Sequence, residues 1–248
     1  MEKIYSTSVI TDIRNFTGLF EKFQYEDSDD FLHFLEDYYK IQSDIAPIIS
    51  DDFHMGSTGD GVLTIFRSEN NHLEGYAFLL AVHKRLTKLC KDSEATLRED
   101  VSFGIAADSG SVWDVGKNMH SNLDTYVGTV INRTSRIEAN TKLFGNTQGA
   151  IGYYLYLNLL RDLYPDTYNT MSNYTGKYDE LLHNNPKVVL MSDKLALVYI
   201  SALVLKNINK PLPIFRISEY LVKDDEMFWN VMSKLISEDK INKLKEIL

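Results

Sequence analysis

Strand-like and helix-like segments alternate along this chain in an order that few folds can accommodate. The strand-like segments are rich in β-branched and aromatic residues, whereas the helix-like ones repeat apolar residues every three or four positions. The order is a strand at 4–12, helices from about 15 and over 27–47, a hairpin at 51–66, a helix at 72–90, a hairpin at 101–116, a helix at 127–144, a strand at 188–192, a helix at 192–205 and a strand at 212–218. Repeated βαβ units with hairpins between them predict an α+β fold, in which helices pack against one mixed sheet of ferredoxin-like βαββαβ type.

The chain is long enough for one large domain with an elaboration, at 248 residues. We expect that domain to cover residues 1–222. Residues 223–248 carry apolar side chains spaced for one helix face and are predicted to form a C-terminal helical tail. A segment rich in tyrosine and leucine, about 146–187, does not fit the alternation. We interpret it as a helical insertion.

Composition and charge exclude several classes of function. The net charge is −9 and no cluster of Lys and Arg is present, so we expect no nucleic-acid partner. The single cysteine, Cys90, permits neither an intramolecular disulfide nor a zinc site made of cysteines. The start of the chain does not have the pattern of a signal peptide, and the apolar stretch 195–205 is too short to span a membrane. We therefore predict a cytoplasmic protein without direct membrane contact.

Two aspartates stand at the ends of predicted strands. Residues 56–66 read GSTGDGVLTIF, so that Asp60 lies between two glycines in front of a strand, where its simplest role is a hairpin turn. Asp12 ends the first strand, where its simplest role is to cap the following helix. In a βαββ unit the first strand and the hairpin are neighbours, so the two carboxylates could instead converge beside a helix N-terminus. Such a pair could hold Mg²⁺ or Mn²⁺ against a triphosphate.

A predicted helix carries an amide and a guanidinium side chain on one face. Asn132 and Arg136 are four residues apart, which places them on the same side of a helix. This pair can be an ordinary solvated face. Alternatively, the guanidinium of Arg136 could bind phosphoryl oxygens while the amide of Asn132 binds a sugar oxygen.

Four motifs in order along the chain resemble the catalytic domain of class III nucleotidyl cyclases. They read DIRNFT at 12–17, GDGVLTIF at 59–66, GTVINRTSR at 128–136 and LKNINKPLPIFRI at 205–217. The resemblance covers about residues 5–145 and 188–217. It implies that the chain cyclises a nucleoside triphosphate and releases pyrophosphate.

The resemblance also implies a site for two divalent metal ions, Mn²⁺ or Mg²⁺. The carboxylates of Asp12 and Asp60 and the backbone carbonyl of Ile13 would be the ligands. One ion would lower the pKa of the ribose 3′-hydroxyl group, and the other would bind the β- and γ-phosphates.

Further residues would bind the nucleotide, again by resemblance. The backbone N–H groups of Phe16 and Thr17 would hold phosphate oxygens. Asn132 would orient the ribose, and Arg136 would neutralise charge at the α-phosphorus in the transition state. Lys206 matches a phosphate-binding lysine of the family, but it can equally be a surface lysine. In the family the metal aspartates and the Asn–Arg pair come from different subunits, which implies a homodimer with two sites at its interface.

The base-recognition positions depart from the family's usual patterns. Adenylate cyclases have a lysine, and guanylate cyclases a glutamate, where this chain has Gly56; the second position is Thr125. The missing purine contact and the Asn15 variant resemble the bacterial pyrimidine cyclases of the Pycsar anti-phage systems. These make cyclic UMP or cyclic CMP, which activates a separate effector, and we favour UTP over CTP. The alternatives are an adenylate cyclase with an atypical base pocket and a non-catalytic, nucleotide-binding regulator.

Overall fold

The computed structural model describes residues 2–25, 29–115, 126–144, 149–174, 180–182, 194–204 and 211–248. The strands are β1 (Glu2–Ile13), β2 (Phe53–Ser57), β3 (Gly61–Phe66), β4 (Phe103–Asp114), β5 (Tyr126–Val127), β6 (Gly149–Gly152), β7 (Leu197–Leu203) and β8 (Leu212–Ile217). The helices are α1 (Phe16–Tyr25), α2 (Asp30–Ile49), α3 (Asn71–Leu97), α4 (Thr129–Asn140), α5 (Tyr153–Leu163), α6 (Pro165–Ser172), α7 (Glu219–Lys223), α8 (Asp225–Leu235) and α9 (Glu238–Lys245). A 3₁₀ turn, Thr141–Phe144, extends α4.

One mixed sheet organises the described residues. Its strands lie in the order β2-β3-β1-β4-β6-β8-β7, and β5 pairs with β4. The central strand β1 is antiparallel to both of its neighbours, and it pairs with β4 along its whole length. Strand β6 is parallel to β4, as expected when a helix connects them.

The two faces of β1 contact different helices. Side chains of successive residues in a strand point to opposite faces. Thr7 bonds to Asn71 at the start of α3, with 2.8 Å between the two oxygens, and Ser8 bonds to Thr134 of α4, with 2.6 Å between the hydroxyls. Helix α3 therefore packs on one face and α4 on the other. Asp12 has the same parity as Ser8 and lies on the α4 face.

The larger hydrophobic core lies on the α3 face. Aromatic side chains of α2, β3 and α3, including Tyr38, Phe66 and Phe78, are fully buried there. The C-terminal helices α8 and α9 complete this layer: Phe228 and Leu244 are buried in the same cluster. The α4 face is thinner, and its clusters centre on Ile65, Val112, Val130 and on Ala106, Ile137, Ala150, Ile214.

The predicted hairpin at 51–66 is present as β2 and β3, but the predicted hairpin at 101–116 is wrong. Residues 103–114 form the single strand β4. The sequence Asp108-Ser109-Gly110 looks like a turn, yet the Asp108 carboxylate is buried and accepts a 2.6 Å hydrogen bond from Arg133. This long-range contact outweighs the local turn preference, and the strand continues.

Two helical predictions in the second half of the chain are also wrong. Residues 149–152, expected within a helical insertion, form strand β6 between β4 and β8, and α5 and α6 follow it. Residues 192–205 were expected to be helical, but Leu197–Leu203 form β7, which pairs with β8. Its β-branched and aromatic residues, Val198, Tyr199 and Ile200, suit a strand better than a helix. The predicted strand 188–192 lies outside the described residues.

Candidate active site

Asp12, near the end of β1, and the turn that carries Asp60 are packed together. Asp12 lies directly opposite Gly61 in the pairing of β1 with β3. The Ile13 amide donates a 3.1 Å hydrogen bond to the Asp60 carbonyl. A Cβ atom at residue 61 would lie 2.2 Å from the Thr11 carbonyl oxygen, so only glycine permits this approach. The predicted convergence of the two aspartates is therefore present in the fold.

The Asp12 carboxyl group is in an electrostatically unfavourable position. Its pKa is raised to about 6, first by burial and then by the charge of Asp60, while Arg14 opposes the shift. Two adjacent carboxylates with incomplete compensation favour a cation between them. Among the described residues no group of three or more His, Cys, Asp or Glu side chains could hold a metal. The pair nevertheless fits Mg²⁺ or Mn²⁺, which typically take one or two carboxylates and complete their coordination with substrate phosphates and water.

Helix α2 forms hydrogen bonds with the residues next to Asp12 and Asp60. The Tyr39 hydroxyl donates a hydrogen bond to the Gly59 carbonyl, next to Asp60. Gly59 has φ +102°, a backbone conformation that residues other than glycine rarely adopt. The Thr11 hydroxyl, next to Asp12, donates a 2.9 Å bond to the buried Gln42 amide oxygen. Sequence reasoning missed these supports, because no local pattern relates α2 to the ends of β1 and β3.

Helix α1 begins at Phe16, shortly after β1 ends at Ile13. Asn15 has φ 54°, in the left-handed region, where asparagine is among the best tolerated residues other than glycine. Leu19 donates its N–H group to the Asn15 carbonyl at 3.0 Å. The preceding N–H groups of Phe16, Thr17 and Gly18 belong to the first helical turn and have no intrahelical acceptor. Phe16 and Thr17 thus begin a helix a few residues after Asp12, and their role as phosphate donors stays a prediction.

Helix α4 carries Asn132 and Arg136 and is fixed firmly to the sheet. A Cβ atom at Gly128 would lie 2.5 Å from the Ser111 carbonyl oxygen, so glycine lets the helix start against β4. Arg133 donates to Asp108 at 2.6 Å and to the Ser109 carbonyl at 2.7 Å.

The side chains of Asn132 and Arg136 have no hydrogen-bond or ion-pair partner within the part of the chain that the structure describes. Asn132 is exposed and Arg136 is half-buried. The N–H groups of their side chains are therefore available to bind another molecule.

The contacts of Glu138 show which face of α4 lies towards Asp12 and Asp60. Its carboxylate is buried, and its Oε1 lies 2.9 Å from Nη2 of Arg14, just beyond Asp12. Burial raises the Glu138 pKa to about 7, Arg14 lowers it, and Asp12 and Asp60 raise it further. Glu138 thus faces the carboxylate pair of its own chain.

Arg136 points away from that pair. Residues two apart on a helix are separated by about 200° around its axis, so Arg136 lies opposite Glu138. Within one chain, the carboxylate pair and the Asn132–Arg136 face therefore point in different directions.

The remaining predicted site residues are only partly described. Gly56 is half-buried in β2, on the α4 face of the sheet, opposite Leu63. Thr125 and Lys206 lie outside the described residues.

Comparison with solved structures identifies the fold. The adenylyl cyclase CyaB from P. aeruginosa has a TM-score of 0.61 and 16% sequence identity over 88% of this chain and 95% of that one. The guanylyl cyclase Cya2 has a TM-score of 0.57 and 15% identity over 87% of this chain and 92% of that one. A bacterial light-regulated adenylyl cyclase has a TM-score of 0.59 and 17% identity over 95% of this chain and 100% of that one. The predicted ferredoxin-like α+β fold of class III cyclase type is confirmed.

No protein-family model and no curated protein matches the sequence. Among the described residues, no helix is both long and apolar enough to cross a membrane.

Proposed function

We propose that this protein is a nucleotidyl cyclase, which converts a nucleoside triphosphate into a 3′,5′-cyclic nucleotide and pyrophosphate. The observation that carries the proposal is the contact between the end of β1, with Asp12, and the Asp60 turn on a sheet of cyclase fold. An acid pair of this kind is costly unless a cation neutralises it. Its place beside the first turn of α1 brings cation and phosphate binding together.

The metal ions would be held by the Asp12 and Asp60 carboxylates, with the Ile13 carbonyl as a further ligand. When bound, two Mn²⁺ or Mg²⁺ ions supply acidification of the ribose 3′-hydroxyl group and charge neutralisation at the phosphates. The first N–H groups of α1, at Phe16 and Thr17, orient the phosphates. Lys206 would add a positive charge to the same group.

The second half of the site comes from a second copy of the chain. The amide of Asn132 fixes the ribose, and the guanidinium of Arg136 stabilises negative charge that develops at the α-phosphorus. This face of α4 is directed away from its own carboxylate pair, so a twin chain is the simplest source of the missing half. A homodimer then contains two complete sites.

The substrate base is a pyrimidine, and we favour UTP over CTP. The support is the absence of a long side chain at Gly56 and the resemblance of the DIRNFT motif to the Pycsar cyclases. In that role the protein works in the cytoplasm during anti-phage defence, and its cyclic UMP or cyclic CMP activates a separate effector. Thr125 would contribute a hydroxyl to base recognition.

The test is a panel of ATP, GTP, CTP and UTP with Mn²⁺, in which both pyrophosphate release and the cyclic product are measured. We expect cyclic UMP or cyclic CMP from the wild type and at least a 100-fold loss for Asp60→Ala, because the acid pair is broken. Asp51→Ala, at an exposed aspartate at the other end of the β2–β3 hairpin, is the matched control and retains activity. Wild-type activity in Asp60→Ala would contradict the metal assignment.

The same panel separates the two alternatives. Conversion of ATP alone would identify an adenylate cyclase with an atypical base pocket. Binding of a nucleotide without any pyrophosphate release would identify a regulator that has the cyclase fold without its chemistry.

A further inference from the structure

One amide side chain lies in the face that helix α2 directs towards the core. The other buried residues of α2 are apolar or aromatic and repeat at helical spacing: Phe31, Phe34, Tyr38, Ile45, Ala46 and Ile49. Gln42 follows the same spacing, and its side chain is completely buried. Amides are seldom buried so fully, because their removal from water costs free energy unless they are hydrogen-bonded. We therefore expect Gln42 to have hydrogen bonds that compensate for its burial.

The Gln42 amide is hydrogen-bonded at both of its ends. Its carbonyl oxygen accepts a 2.9 Å hydrogen bond from the Thr11 hydroxyl of β1. Its Nε2 donates to the Tyr38 carbonyl at 3.2 Å, one helical turn earlier, and this bond fixes the orientation of the amide. Thr11 is also buried, with 1% of its surface exposed, so water does not compete for its hydroxyl. The contact is therefore a buried link between α2 and the residue that precedes Asp12.

A third polar group completes a buried polar cluster, which we define as Thr11, Tyr38 and Gln42. The Tyr38 hydroxyl is fully buried and has no hydrogen bond of good geometry within the described residues. Burial raises the pKa of this hydroxyl, and the neighbouring Thr11 and Gln42 side chains lower it, which shows that the three polar groups adjoin. An incompletely satisfied polar cluster in an apolar layer reduces stability. Such exceptions to apolar packing are typical of functional sites.

One side of α2 contacts the chain beside both candidate metal ligands. Gln42 binds Thr11, which precedes Asp12, and the Tyr39 hydroxyl binds the turn that carries Asp60. Gln42 and Tyr39 are three residues apart and are therefore neighbours on the helix surface. Backbone pairing with β3 and β4 holds the end of β1 within the sheet, whereas the contact with α2 holds it in the perpendicular direction. We thus expect the relative placement of the two aspartates to depend on both α2 residues.

We infer that Gln42 is a positioning residue for metal binding, which acts through Thr11 to keep the Asp12 carboxylate in place relative to Asp60. This inference rests on the proposed function, because it takes both carboxylates as metal ligands. Gln42 does not touch the metal: the Thr11 side chain that it binds lies on the opposite face of the sheet from that of Asp12. Loss of a hydrogen bond that supports a metal site commonly weakens metal affinity. The Thr11–Gln42 bond therefore contributes to metal affinity and not to stability alone.

Two substitutions of Thr11 separate positioning from stability. Thr11→Val keeps the shape of the side chain but removes the hydroxyl, whereas Thr11→Ser keeps the hydroxyl and removes a buried methyl group. Binding of Mn²⁺ without nucleotide is measured from the electron paramagnetic resonance signal of the free ion, and stability from urea unfolding. We expect the Mn²⁺ dissociation constant to rise about fivefold in Thr11→Val, as for the loss of one neutral hydrogen bond, and to stay unchanged in Thr11→Ser. The urea midpoint should fall in both variants.

The double variant Thr11→Val/Gln42→Leu tests the link from its other end. Both hydrogen-bond partners become apolar, so neither leaves the other unpaired, and the urea midpoint should return towards the wild-type value. The weaker Mn²⁺ binding should persist, because the link to α2 is still missing. Thr64→Val is the matched control, at a buried threonine of β3 whose hydroxyl has no partner in the described part of the chain. It should bind Mn²⁺ as the wild type does.

The inference can fail independently of the proposed function. Wild-type Mn²⁺ affinity in Thr11→Val or in the double variant would overturn the inference alone, and so would equally weak binding in Thr11→Ser and Thr11→Val. No Mn²⁺ binding by the wild type, or binding that persists in Asp60→Ala, would refute the metal assignment and the inference with it. Binding that depends on Asp60 and on the Thr11 hydroxyl, without pyrophosphate release from any nucleoside triphosphate, would refute the cyclase activity alone.

Discussion

Arg14 and Glu138 form a 2.9 Å ion pair that connects the end of β1 to helix α4. Arg14 also donates to the Glu138 carbonyl at 3.1 Å and to the Thr141 hydroxyl. A Cβ atom at Gly104 would lie 2.0 Å from Glu138 Oε1, so glycine in β4 makes room for the pair. In the proposed homodimer this contact would join the metal-binding half of one site to the helix that completes the other.

Glu138→Gln should lower the catalytic rate without unfolding the protein. Glu138 Oε1 accepts no hydrogen bond of good geometry within the described residues, so the charge of Arg14 is its main compensation. Loss of the ion pair frees α4 to shift, and we expect kcat to fall about tenfold with little change in KM. Steady-state kinetics checks this. Glu21→Gln, at an exposed glutamate of α1, is the control, and equal kcat values for the two variants would contradict the coupling.

Tyr39→Phe should weaken activation by metal. The variant keeps the ring but removes the hydroxyl that binds the Gly59 carbonyl beside Asp60. A lost hydrogen bond of this kind corresponds to roughly a threefold to tenfold change in affinity. The Mn²⁺ concentration for half-maximal activity should therefore rise by that factor, while activity at saturating Mn²⁺ approaches the wild-type value. Tyr25→Phe, at a tyrosine that is 97% exposed, is the control and should behave as the wild type. An unaltered metal requirement in Tyr39→Phe would show that the Asp60 turn keeps its conformation without this hydrogen bond.

Arg133→Ala should be strongly destabilising. It leaves the Asp108 carboxylate, which is 1% exposed, without its positively charged partner. Burial already raises the Asp108 pKa, and Arg133 opposes this shift. Removing one member of a buried pair typically costs about 3–5 kcal/mol of unfolding free energy. Urea unfolding measures the loss, with Lys88→Ala at an exposed helix position as the control; similar midpoints for both variants would mean that Asp108 finds another partner.

Stability should fall in mild acid because of His83. Complete burial lowers the pKa of this histidine from 6.5 to about 4, and its Nδ1 has no hydrogen-bond partner among the described residues. The unfolded chain therefore binds more protons between these two values, so the stabilisation is complete above pH 6.5 and is lost as the pH falls towards 4. The loss should reach about 3 kcal/mol.

Urea unfolding at a series of pH values checks this dependence on His83. His83→Phe, which cannot take up a proton, should flatten the profile in this range. His33→Ala should keep the wild-type slope, since His33 is exposed. A slope that persists in His83→Phe would assign the effect to other groups.

The sequence predicts those parts of the site that depend on local pattern and chain order. Asp12 and Asp60 end neighbouring strands of a βαββ unit, and Asn132 and Arg136 obey the helical period, so their places follow from topology. Tyr39 and Glu138 contact the candidate site through tertiary interactions that no residue spacing in the sequence predicts. The same cause explains the errors: the buried Asp108–Arg133 pair keeps β4 continuous through a turn-like sequence, and pairing with β8 makes a strand of residues 197–203.

The central claim is that each site combines the carboxylates of one chain with the Asn132–Arg136 face of its twin. Asp60→Ala and Arg136→Ala should each be inactive alone. When the two variants are mixed and allowed to exchange subunits, half of the dimers are mixed, and each of these has one intact site. Activity should then recover to about a quarter of the wild-type value. No recovery, in a mixture shown to exchange subunits, would mean that both halves of a site belong to the same chain.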